Sequence, residues 1–533
     1  METKYAGFQK MVASAYLLLI FAALPLYMKD GFYMLADAKY LFFRSVSLIF
    51  LLLWLAGAAV RGIYRRRHGR CSLRKKPGEW SEIWGMYSGT DVFAICFAVF
   101  SMLSYLLSAY KDTALIGFSG WYMGLLTQLF LVGGYFLVSR WYEREKMISG
   151  IVWLSMSAVC LLGVLNRIGY DPLGTFEGMD WWEWNRRNLL STVGNINWYC
   201  GYLAVTVPLL LYCFWAGEGW KRIPAWAAAF VGIGAIFLQG SSSGYIAMGA
   251  MYVVLLLASL KDMRAFLRFL ETAVLVPLLC FLMWLTRLHL ILTYDMEETI
   301  EKVITPVWGI PLGILGAGIV ALRMIYRRTG RNWLENGRGL KGVLVLGVVL
   351  VLAGVLVLAG CQVSDSVWHF FGSSGFLRFD AEWGSMRGKL WTAVWNGFCR
   401  TDFVRKLYGV GPDCFARYFY EVEMIDIETT GKWMEAVYAN AHNEWLNMLV
   451  NEGILGLMAY LGFFLSAFRR FWKNSRENRR MMAGMMAVGA YVANQFFSFG
   501  QVVSTPLIFL VIAVCENECR RKETEKGNQD GRE

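Results

Sequence analysis

Apolar residues are gathered into long blocks along this chain, and shorter polar segments separate the blocks. Most blocks approach the roughly 20 residues that a helix needs to cross a hydrocarbon core about 30 Å thick. Fourteen blocks can be distinguished, at residues 11–28, 41–60, 91–109, 121–139, 148–167, 198–216, 222–238, 243–260, 266–286, 305–323, 341–361, 444–467, 481–499 and 503–516. The pattern predicts an all-α polytopic membrane protein with about 12–14 transmembrane helices and one large external loop.

Composition supports a membrane location, and the distribution of charge predicts an orientation. Hydrophobic residues make up 57% of the chain and charged residues only 17%, whereas soluble domains have roughly a quarter charged. The net charge of +12 comes from bases clustered between apolar blocks, which argues against a nucleic-acid partner. The basic segments are 61–76, 323–341, 469–480 and the tail after Cys519. If fourteen spans alternate, these segments share one side, which the positive-inside rule assigns to the cytoplasm together with both termini.

The spans and loops divide the chain into five regions. Residues 1–165 form an N-terminal transmembrane bundle, and 166–361 form a central transmembrane region with external Asn and Ser motifs. Residues 362–443 form a long external loop, which is expected to be catalytic because long loops tend to carry function. Residues 444–516 form C-terminal transmembrane helices, and 517–533 form a polar cytoplasmic tail predicted to lack regular structure.

The eleven cysteines are scattered singly and show no metal-ligand spacing. Cys399 and Cys414 fall in the middle of the external loop, so one disulfide between them stays open. Nothing resembles a Mg²⁺-binding Asp cluster or a nucleotide-binding motif. The sequence therefore predicts neither a metal nor a cofactor.

The stretch "ANAHNEWLNMLVNEGILGL", from Ala439, places polar residues at the outer mouth of a predicted span. In a helix beginning near His442, the side chains of Asn443, Asn447 and Asn451 line one face, and Glu452 lies inside the span. Such a stripe should face the bundle interior or a water-filled cavity. The asparagines and Glu452 then either form interhelical hydrogen bonds or bind substrate. His442, reachable from water, is a candidate catalytic residue.

A second cluster of candidate residues lies in the same loop, in "RFDAEWGSMRGKLWTAVWNGF" (378–398). Arg378 and Arg387 offer planar forks of donors suited to phosphate oxygens, and Lys389 adds charge. Trp391 is placed to pack against a sugar. The alternative is an amphipathic helix lying on anionic lipid, which Arg and Trp serve equally well.

Three further polar segments fall on the same predicted face. "LYGVGPDCFARYF" (407–419) contains a G-x-G turn that either binds an anion or shapes the loop. "RRNLLSTVGNIN" carries Arg187, Asn195 and Asn197, and "LQGSSSG" carries Ser243. Taken singly, each is a helix cap or a turn. Their common side of the membrane is what indicates a site.

Together these motifs resemble the O-antigen ligase and polymerase superfamily of membrane glycosyltransferases. The similarity runs from about Arg186 to Leu465, and "G-x-G-P…A-H-N-E…L…E-G…G" is its most specific part. Members use undecaprenyl-diphosphate-linked glycans as donors outside the cytoplasmic membrane. The resemblance places His442 on the family's essential histidine and Arg387 on the arginine thought to bind the donor diphosphate.

The resemblance implies a bacterial cytoplasmic-membrane enzyme of cell-surface polysaccharide assembly, either a polymerase or a ligase, acting on a lipid-linked donor and a glycan acceptor. One departure stands out. Many members carry a second essential arginine in an S-R-G turn, where this chain reads Ser242-Ser243-Gly244. This departure leaves open an inactive homologue that binds glycan. A flippase or transporter of lipid-linked saccharide is a separate alternative from another functional class.

Overall fold

The computed structural model describes residues 2–68, 87–177, 188–260, 262–287, 304–334, 337–372, 375, 377–421, 439–475 and 477–530. Within these ranges most of the chain is helical. The only strands there are the two-residue β1 (Leu189–Leu190) and β2 (Gly194–Asn195), which pair antiparallel. The predicted all-α class is confirmed.

The helices follow the apolar blocks closely. The first half of the chain contains α1 (Glu2–Leu26), α2 (Leu35–Arg67), α3 (Gly89–Leu107), α4 (Lys111–Ile116), α5 (Leu125–Trp141), α6 (Lys146–Arg167), α7 (Ile196–Ala216), α8 (Arg222–Leu238) and α9 (Ser242–Ser259). The second half contains α10 (Met263–Ala273), α11 (Leu275–Thr286), α12 (Gly309–Thr329), α13 (Arg338–Val363), α14 (Asp365–Phe370), α15 (Trp383–Arg400), α16 (Phe403–Tyr408), α17 (Phe415–Glu421), α18 (Glu444–Asn474), α19 (Met481–Asn494) and α20 (Thr505–Asp530).

Eleven helical segments of the described chain are long and apolar enough to cross a membrane. The other three predicted blocks are also helical but do not reach that length and composition. The helix α5 has 17 residues and α19 has 14, and the apolar part of α20 continues into a charged half. The protein is thus a polytopic membrane protein by its helices.

The tail after Cys519 differs from its prediction, because it continues α20 as helix as far as Asp530. Ion pairs account for the difference. Arg520 pairs with Asp91, and Glu523 receives the guanidinium of Arg470 at 2.9 Å. The tail therefore packs back on the bundle through charges that composition alone does not place.

The disulfide that the sequence left open is not formed. Cys399 is exposed on α15, whereas Cys414 is buried, and both are free thiols. The Sγ of Cys414 instead lies 4.0 Å from the Ser108 hydroxyl and 3.5 Å from the Pro412 carbonyl.

The centre of the bundle is α7, of which 78% of the most apolar window is buried. It packs against α8, α9 and α19, while α3 runs along α18 and α5 along α20. The periphery includes α13, of which none of the corresponding window is buried. An apolar helix that exposes its whole circumference suits contact with lipid.

The two ends of the bundle differ in chemistry. The charged end is formed by Asp91, Arg140, Arg470, Glu516 and Arg520, where Arg140 lies 3.3 Å from Asp91 and Arg470 lies 3.0 Å from Glu516. The polar end is formed by the segments 108–124, 195–197, 239–243, 410–414, 440–444 and 495–504. Because α3 and α18 run antiparallel between them, the start of α3 lies at the charged end and the start of α18 at the polar end.

Candidate functional site

At the polar end, His442 occupies a left-handed turn directly before α18. Its φ of 48° is uncommon for a residue with a side chain. The side chain of Asn440 accepts the His442 backbone N–H at 2.9 Å. The side chain of Asn443 caps α18 by accepting from Trp445 and Leu446, at 3.0 and 3.2 Å. Hydrogen bonds on both sides of His442 therefore hold the backbone from which its imidazole projects.

Arg387, on α15, lies beside this histidine. Its Nη1 donates to the Gly384 carbonyl at 3.1 Å and its Nη2 to the Phe497 carbonyl at 3.5 Å. The imidazole packs edge-on against Phe499, with ring centroids 5.4 Å apart. Burial, and then the charge of Arg387, lower the pKa of His442 to about 4. The imidazole is therefore neutral at pH 7 and close enough to Arg387 to sense its charge.

Trp391 joins α15 to the histidine turn. It lies one helical turn after Arg387, and its Nε1 donates to the Ala441 carbonyl at 3.0 Å. Its ring packs against Trp383 at 5.3 Å and Phe497 at 5.9 Å. Because the indole N–H of Trp391 donates to the backbone next to His442, Trp391 holds α15, and with it Arg387, against the histidine turn.

The G-x-G segment closes a break in α18. Gly453 leaves helical geometry, with φ 69° and ψ −171°, and the break frees backbone carbonyls one turn earlier. The Val410 N–H donates to the Val450 carbonyl at 3.0 Å, and the Gly411 N–H to the Asn451 carbonyl at 2.9 Å. The sequence left two roles for this turn, anion binding and loop shaping. The structure supports loop shaping, because both N–H groups donate to carbonyls of α18.

Asp413, in the same turn, ties this segment to the start of α5. Its Oδ2 accepts from the Phe118 N–H at 2.8 Å and the Met123 N–H at 2.9 Å. The residue is 6% exposed and has a φ of 57°. Burial raises the pKa of Asp413 to about 7, against the opposing effect of the two donors. The G-x-G pattern indicates this turn in the sequence but does not indicate its carboxylate.

The segment 495–504 is not singled out by the sequence pattern, which predicts 495–499 and 503–504 as ends of two spans and only 500–502 as a connection. It is instead an irregular connection that forms one wall of the site. The Gln495 carbonyl accepts from the Glu444 N–H at 2.9 Å, and the Gly500 N–H donates to the Glu444 carboxylate at 2.8 Å. The signal was present in "NQFFSFGQVVS", where polar residues and a glycine interrupt an apolar hairpin.

The Asn and Ser motifs also reach the polar end. Asn195 caps α7 by accepting the Asn197 N–H at 2.8 Å. The Ser241 hydroxyl donates to the Asn197 side chain at 3.4 Å and lies 3.0 Å from the Ser243 hydroxyl. These residues therefore form one cluster. Within it Asn195 acts as a helix cap, which is the role that its segment alone predicts.

No arginine stands in this serine turn, but one lies beneath it. Arg167 is 1% exposed and donates to the Leu238 carbonyl at 2.9 Å and to the Gln239 carbonyl at 2.5 Å. Those carbonyls end α8, where a cation is favoured by the helix dipole. Arg167 thus supports the turn from inside the protein.

The remaining predicted residues are dispersed. Arg378 pairs with Asp365 at 2.6 Å and lies over the Trp368 ring. Lys389 sits two residues after Arg387, roughly 200° around the helix. Glu452 is fully buried and accepts from the Ser101 hydroxyl at 2.8 Å. Arg187 lies outside the described residues.

Backbone strain and unsatisfied polar atoms both concentrate at the polar end. Of the eight non-glycine residues with positive φ in the described chain, three lie in the polar-end segments, namely Tyr122, Asp413 and His442, and Met386 lies directly before Arg387 on α15. Several buried side chains at or next to this end also have a polar atom without a hydrogen-bond partner among the described residues: Gln128, Trp198, Asn447, Asn451, Ser498, Gln501 and Ser504. Strain of this kind persists where function requires it, and buried orphan atoms call for water or a ligand.

Comparison with known proteins adds no identity to this picture. No protein-family model matches the chain, and no curated protein sequence matches it significantly. The structure defines an all-α polytopic membrane protein with a strained, polar site at one end of its bundle. A functional assignment must rest on that site.

Proposed function

We propose that this chain is a membrane glycosyltransferase that transfers or polymerises undecaprenyl-diphosphate-linked saccharides at the outer face of a bacterial cytoplasmic membrane. The observation that supports this most is the pairing of a neutral imidazole with a guanidinium. His442 and Arg387 are 55 positions apart in the sequence and meet beside the Phe497–Phe499 segment.

The pair suits displacement of a diphosphate from an anomeric carbon. His442 takes the proton of an acceptor sugar hydroxyl, whose oxygen then forms a bond to the anomeric carbon. The bond from that carbon to the diphosphate oxygen breaks, and the electron pair leaves with the diphosphate. Arg387 binds the leaving oxygens and stabilises their charge. Because the diphosphate leaves as a stable anion, no carboxylic acid partner is required.

The donor reaches this site from the membrane. The polar end is built on helix termini that adjoin the apolar spans, so a polyprenyl chain can stay in lipid while its headgroup lies over His442. In the proposed orientation the charged end and both termini face the cytoplasm, following the positive-inside rule. The site then faces outward.

This orientation can be tested with a native thiol. Cys399 is exposed on α15, while the cysteines described in the spans are buried or partly buried. A membrane-impermeant maleimide should label intact cells expressing the wild-type chain but not the Cys399→Ser variant. Labelling of Cys399 only after the cells are permeabilised would place the polar end in the cytoplasm and reject the proposal.

Activity is tested by product analysis in proteoliposomes supplied with polyprenyl-diphosphate oligosaccharide. Longer lipid-linked chains would identify a polymerase, and transfer to an added acceptor would identify a ligase. We expect His442→Ala to form neither product, and the exposed His369→Ala to behave as wild type. Arg387→Lys keeps the charge but loses the planar fork, so its rate should fall at least about tenfold, equivalent to about 1.4 kcal/mol. Unchanged product with His442→Ala would remove this histidine from catalysis.

A transporter of lipid-linked saccharide is the second candidate, and the break in α18 favours it. Broken helices and buried carboxylates at mid-membrane are features of transporters, and Glu452 precedes the break at Gly453. Here, however, the freed carbonyls are occupied by Val410 and Gly411 of the same chain. The same proteoliposomes separate the candidates, because a transporter moves the donor across the bilayer without changing its glycan.

A further inference from the structure

A small cavity lies next to the histidine turn, on the bundle side. It leaves about 10 Å³ for the centre of a water-sized species, which is room for one such species. Six polar residues contribute to its wall: Gln128, Asp413, Asn440, Glu444, Asn447 and Asn451. All six are at least nine-tenths buried.

Three of the amides that line this cavity have a buried carbonyl oxygen without a partner among the described residues. Asn447 uses its Nδ2 to donate to the Glu444 carboxylate at 3.5 Å, and Gln128 uses its Nε2 to donate to the Met123 carbonyl at 3.1 Å. The carbonyl oxygens of Asn447, Asn451 and Gln128 then have no partner among the described residues. Reversing Asn447 would set its oxygen against a carboxylate. The three orphan acceptors therefore require a donor or a cation.

The same wall carries two carboxyl groups and no base. Asp413 and Glu444 both line the cavity, and none of the described residues that line it is Lys, Arg or His. In their ionised forms these two buried carboxylates accept backbone N–H groups but have no counter-charge among the described lining residues, which is costly. A bound cation would satisfy the carboxylates and the orphan amide oxygens together.

The donor set points to one class of cation. Every polar group is an oxygen donor, which suits a hard cation and excludes the nitrogen and sulfur sites that zinc favours. A divalent cation balances the charge of two carboxylates, whereas sodium would balance only one of them. Magnesium usually retains several waters, for which this cavity has no room. Calcium accepts six to eight oxygens in flexible geometry.

We propose that this cavity is a Ca²⁺ site, formed by Asp413, Glu444 and the side-chain carbonyls of Gln128, Asn447 and Asn451. This inference stands whether or not the chain is a glycosyltransferase, and it replaces the sequence-based expectation that no metal is bound. No three His, Cys, Asp or Glu side chains converge as a metal site in the described chain, so this site depends on amide oxygens.

The ion would act as a positioning element for the histidine turn. The cavity joins the start of α5, the turn at Asp413, the start of α18 and the segment at Phe499 and Gly500. Asn440 lines the same cavity and accepts the backbone N–H of His442. A cation there would hold the four segments together and so fix the loop that carries His442.

The test is the thermal unfolding of the purified full chain after removal of divalent ions with EGTA. The protein is then measured in EGTA, in millimolar CaCl₂, in MgCl₂ and in NaCl of equal ionic strength. The variant Asp413→Asn/Glu444→Gln keeps an oxygen acceptor for each backbone donor but removes both charges. Glu143→Gln, an exposed carboxylate paired with Lys10, is the matched control.

We expect CaCl₂ to raise the unfolding midpoint of the wild type and of Glu143→Gln by at least about 2 °C over EGTA. MgCl₂ and NaCl should have smaller effects. The double variant should be as stable as wild type in EGTA, which shows that it folds, and should gain nothing from CaCl₂. Direct ⁴⁵Ca²⁺ binding should give about one ion per wild-type chain and none for the double variant.

Equal wild-type midpoints in EGTA and CaCl₂ would overturn the proposal, as would an unchanged calcium shift in the double variant. Stabilisation by mild acid in place of calcium would also overturn it, because the carboxyls would then be protonated around a water. Since these readouts do not involve glycan, their failure leaves the proposed transferase activity open to its own test.

Discussion

The docking of the G-x-G segment on the α18 break can be tested at Gly409. This glycine has φ 78° and ψ −169°, a region populated almost only by glycine. A Cβ at this position would lie 2.2 Å from the Asn451 carbonyl oxygen and 2.4 Å from the Glu452 nitrogen. Since both atoms belong to the α18 backbone, Gly409→Ala must move the segment away from the break.

The cost can be estimated from what the movement removes. The backbone conformation contributes about 1–3 kcal/mol for a residue with a Cβ. Displacement also removes two hydrogen bonds, from Val410 and Gly411 to α18, each with a net value of about 0.5–1.5 kcal/mol. Together these effects predict a loss of roughly 2–6 kcal/mol in the free energy of unfolding.

The assay is thermal unfolding of the purified protein in detergent, followed by intrinsic fluorescence. Gly372→Ala is the control, because Gly372 has a similar φ of 81° in the same loop but no described heavy atom within 4 Å of the position that an alanine methyl would occupy. We expect Gly409→Ala to lower the midpoint clearly more than Gly372→Ala does. Equal midpoints would refute the reasoning, since the contact with α18 would then have no energetic value.

Three further outcomes follow from the site. Trp391→Phe keeps the aromatic packing but loses the hydrogen bond to the Ala441 carbonyl. Steady-state assays should therefore show turnover falling by about tenfold with little change in donor KM. A raised donor KM with unchanged turnover would instead make Trp391 a sugar contact. The transfer rate should be constant between pH 6 and 8 and fall only as the pH drops through about 4. The reason is that the pKa of His442 is lowered to about 4, and protonation below that pH removes the base. A half-maximal rate near pH 6.5 would contradict this pH profile. Arg378→Gln should retain near-wild-type transfer, because Arg378 is engaged with the exposed Asp365; a loss as large as that of Arg387→Lys would show that Arg378 contacts the donor.

The sequence was sufficient to predict the helices, since hydrophobic length alone determines which segments can cross a membrane. It also predicted that Asn447 and Asn451 face the interior, because a polar stripe cannot be placed against lipid. Both are buried, at 8% and 3% exposed. These predictions succeeded because they depend on local periodicity and on the solvent, not on distant contacts.

The sequence-based predictions that the structure corrects concern contacts between distant segments. The segment 495–504 was assigned to spans because Phe, Val and Leu dominate its flanks, and nothing local shows that Gly500 bonds to Glu444. Arg378 and Arg387 look equivalent as phosphate ligands in the sequence. Only the fold shows that Arg378 meets Asp365 while Arg387 meets the loop beside His442.

The strained residues were also beyond prediction from sequence. His and Asp adopt a left-handed backbone more often than most residues with a side chain, but turn rules do not say which His or Asp of a chain will do so. Their conformations are imposed by neighbours, namely the Asn440 side chain for His442 and the N–H groups of Phe118 and Met123 for Asp413. Such strain is visible only once the loops are assembled.

The central claim is that His442 and Arg387 act on one bound donor, and a double-mutant cycle on the transfer rate tests it most directly. His442→Gln and Arg387→Gln should each slow transfer by about 100-fold or more, and the double variant should be no slower than the slower single variant, because one intact partner is not enough. His369→Ala and Arg400→Lys serve as controls at exposed positions. Losses that multiply in the double variant, or wild-type turnover by His442→Gln, would contradict the claim.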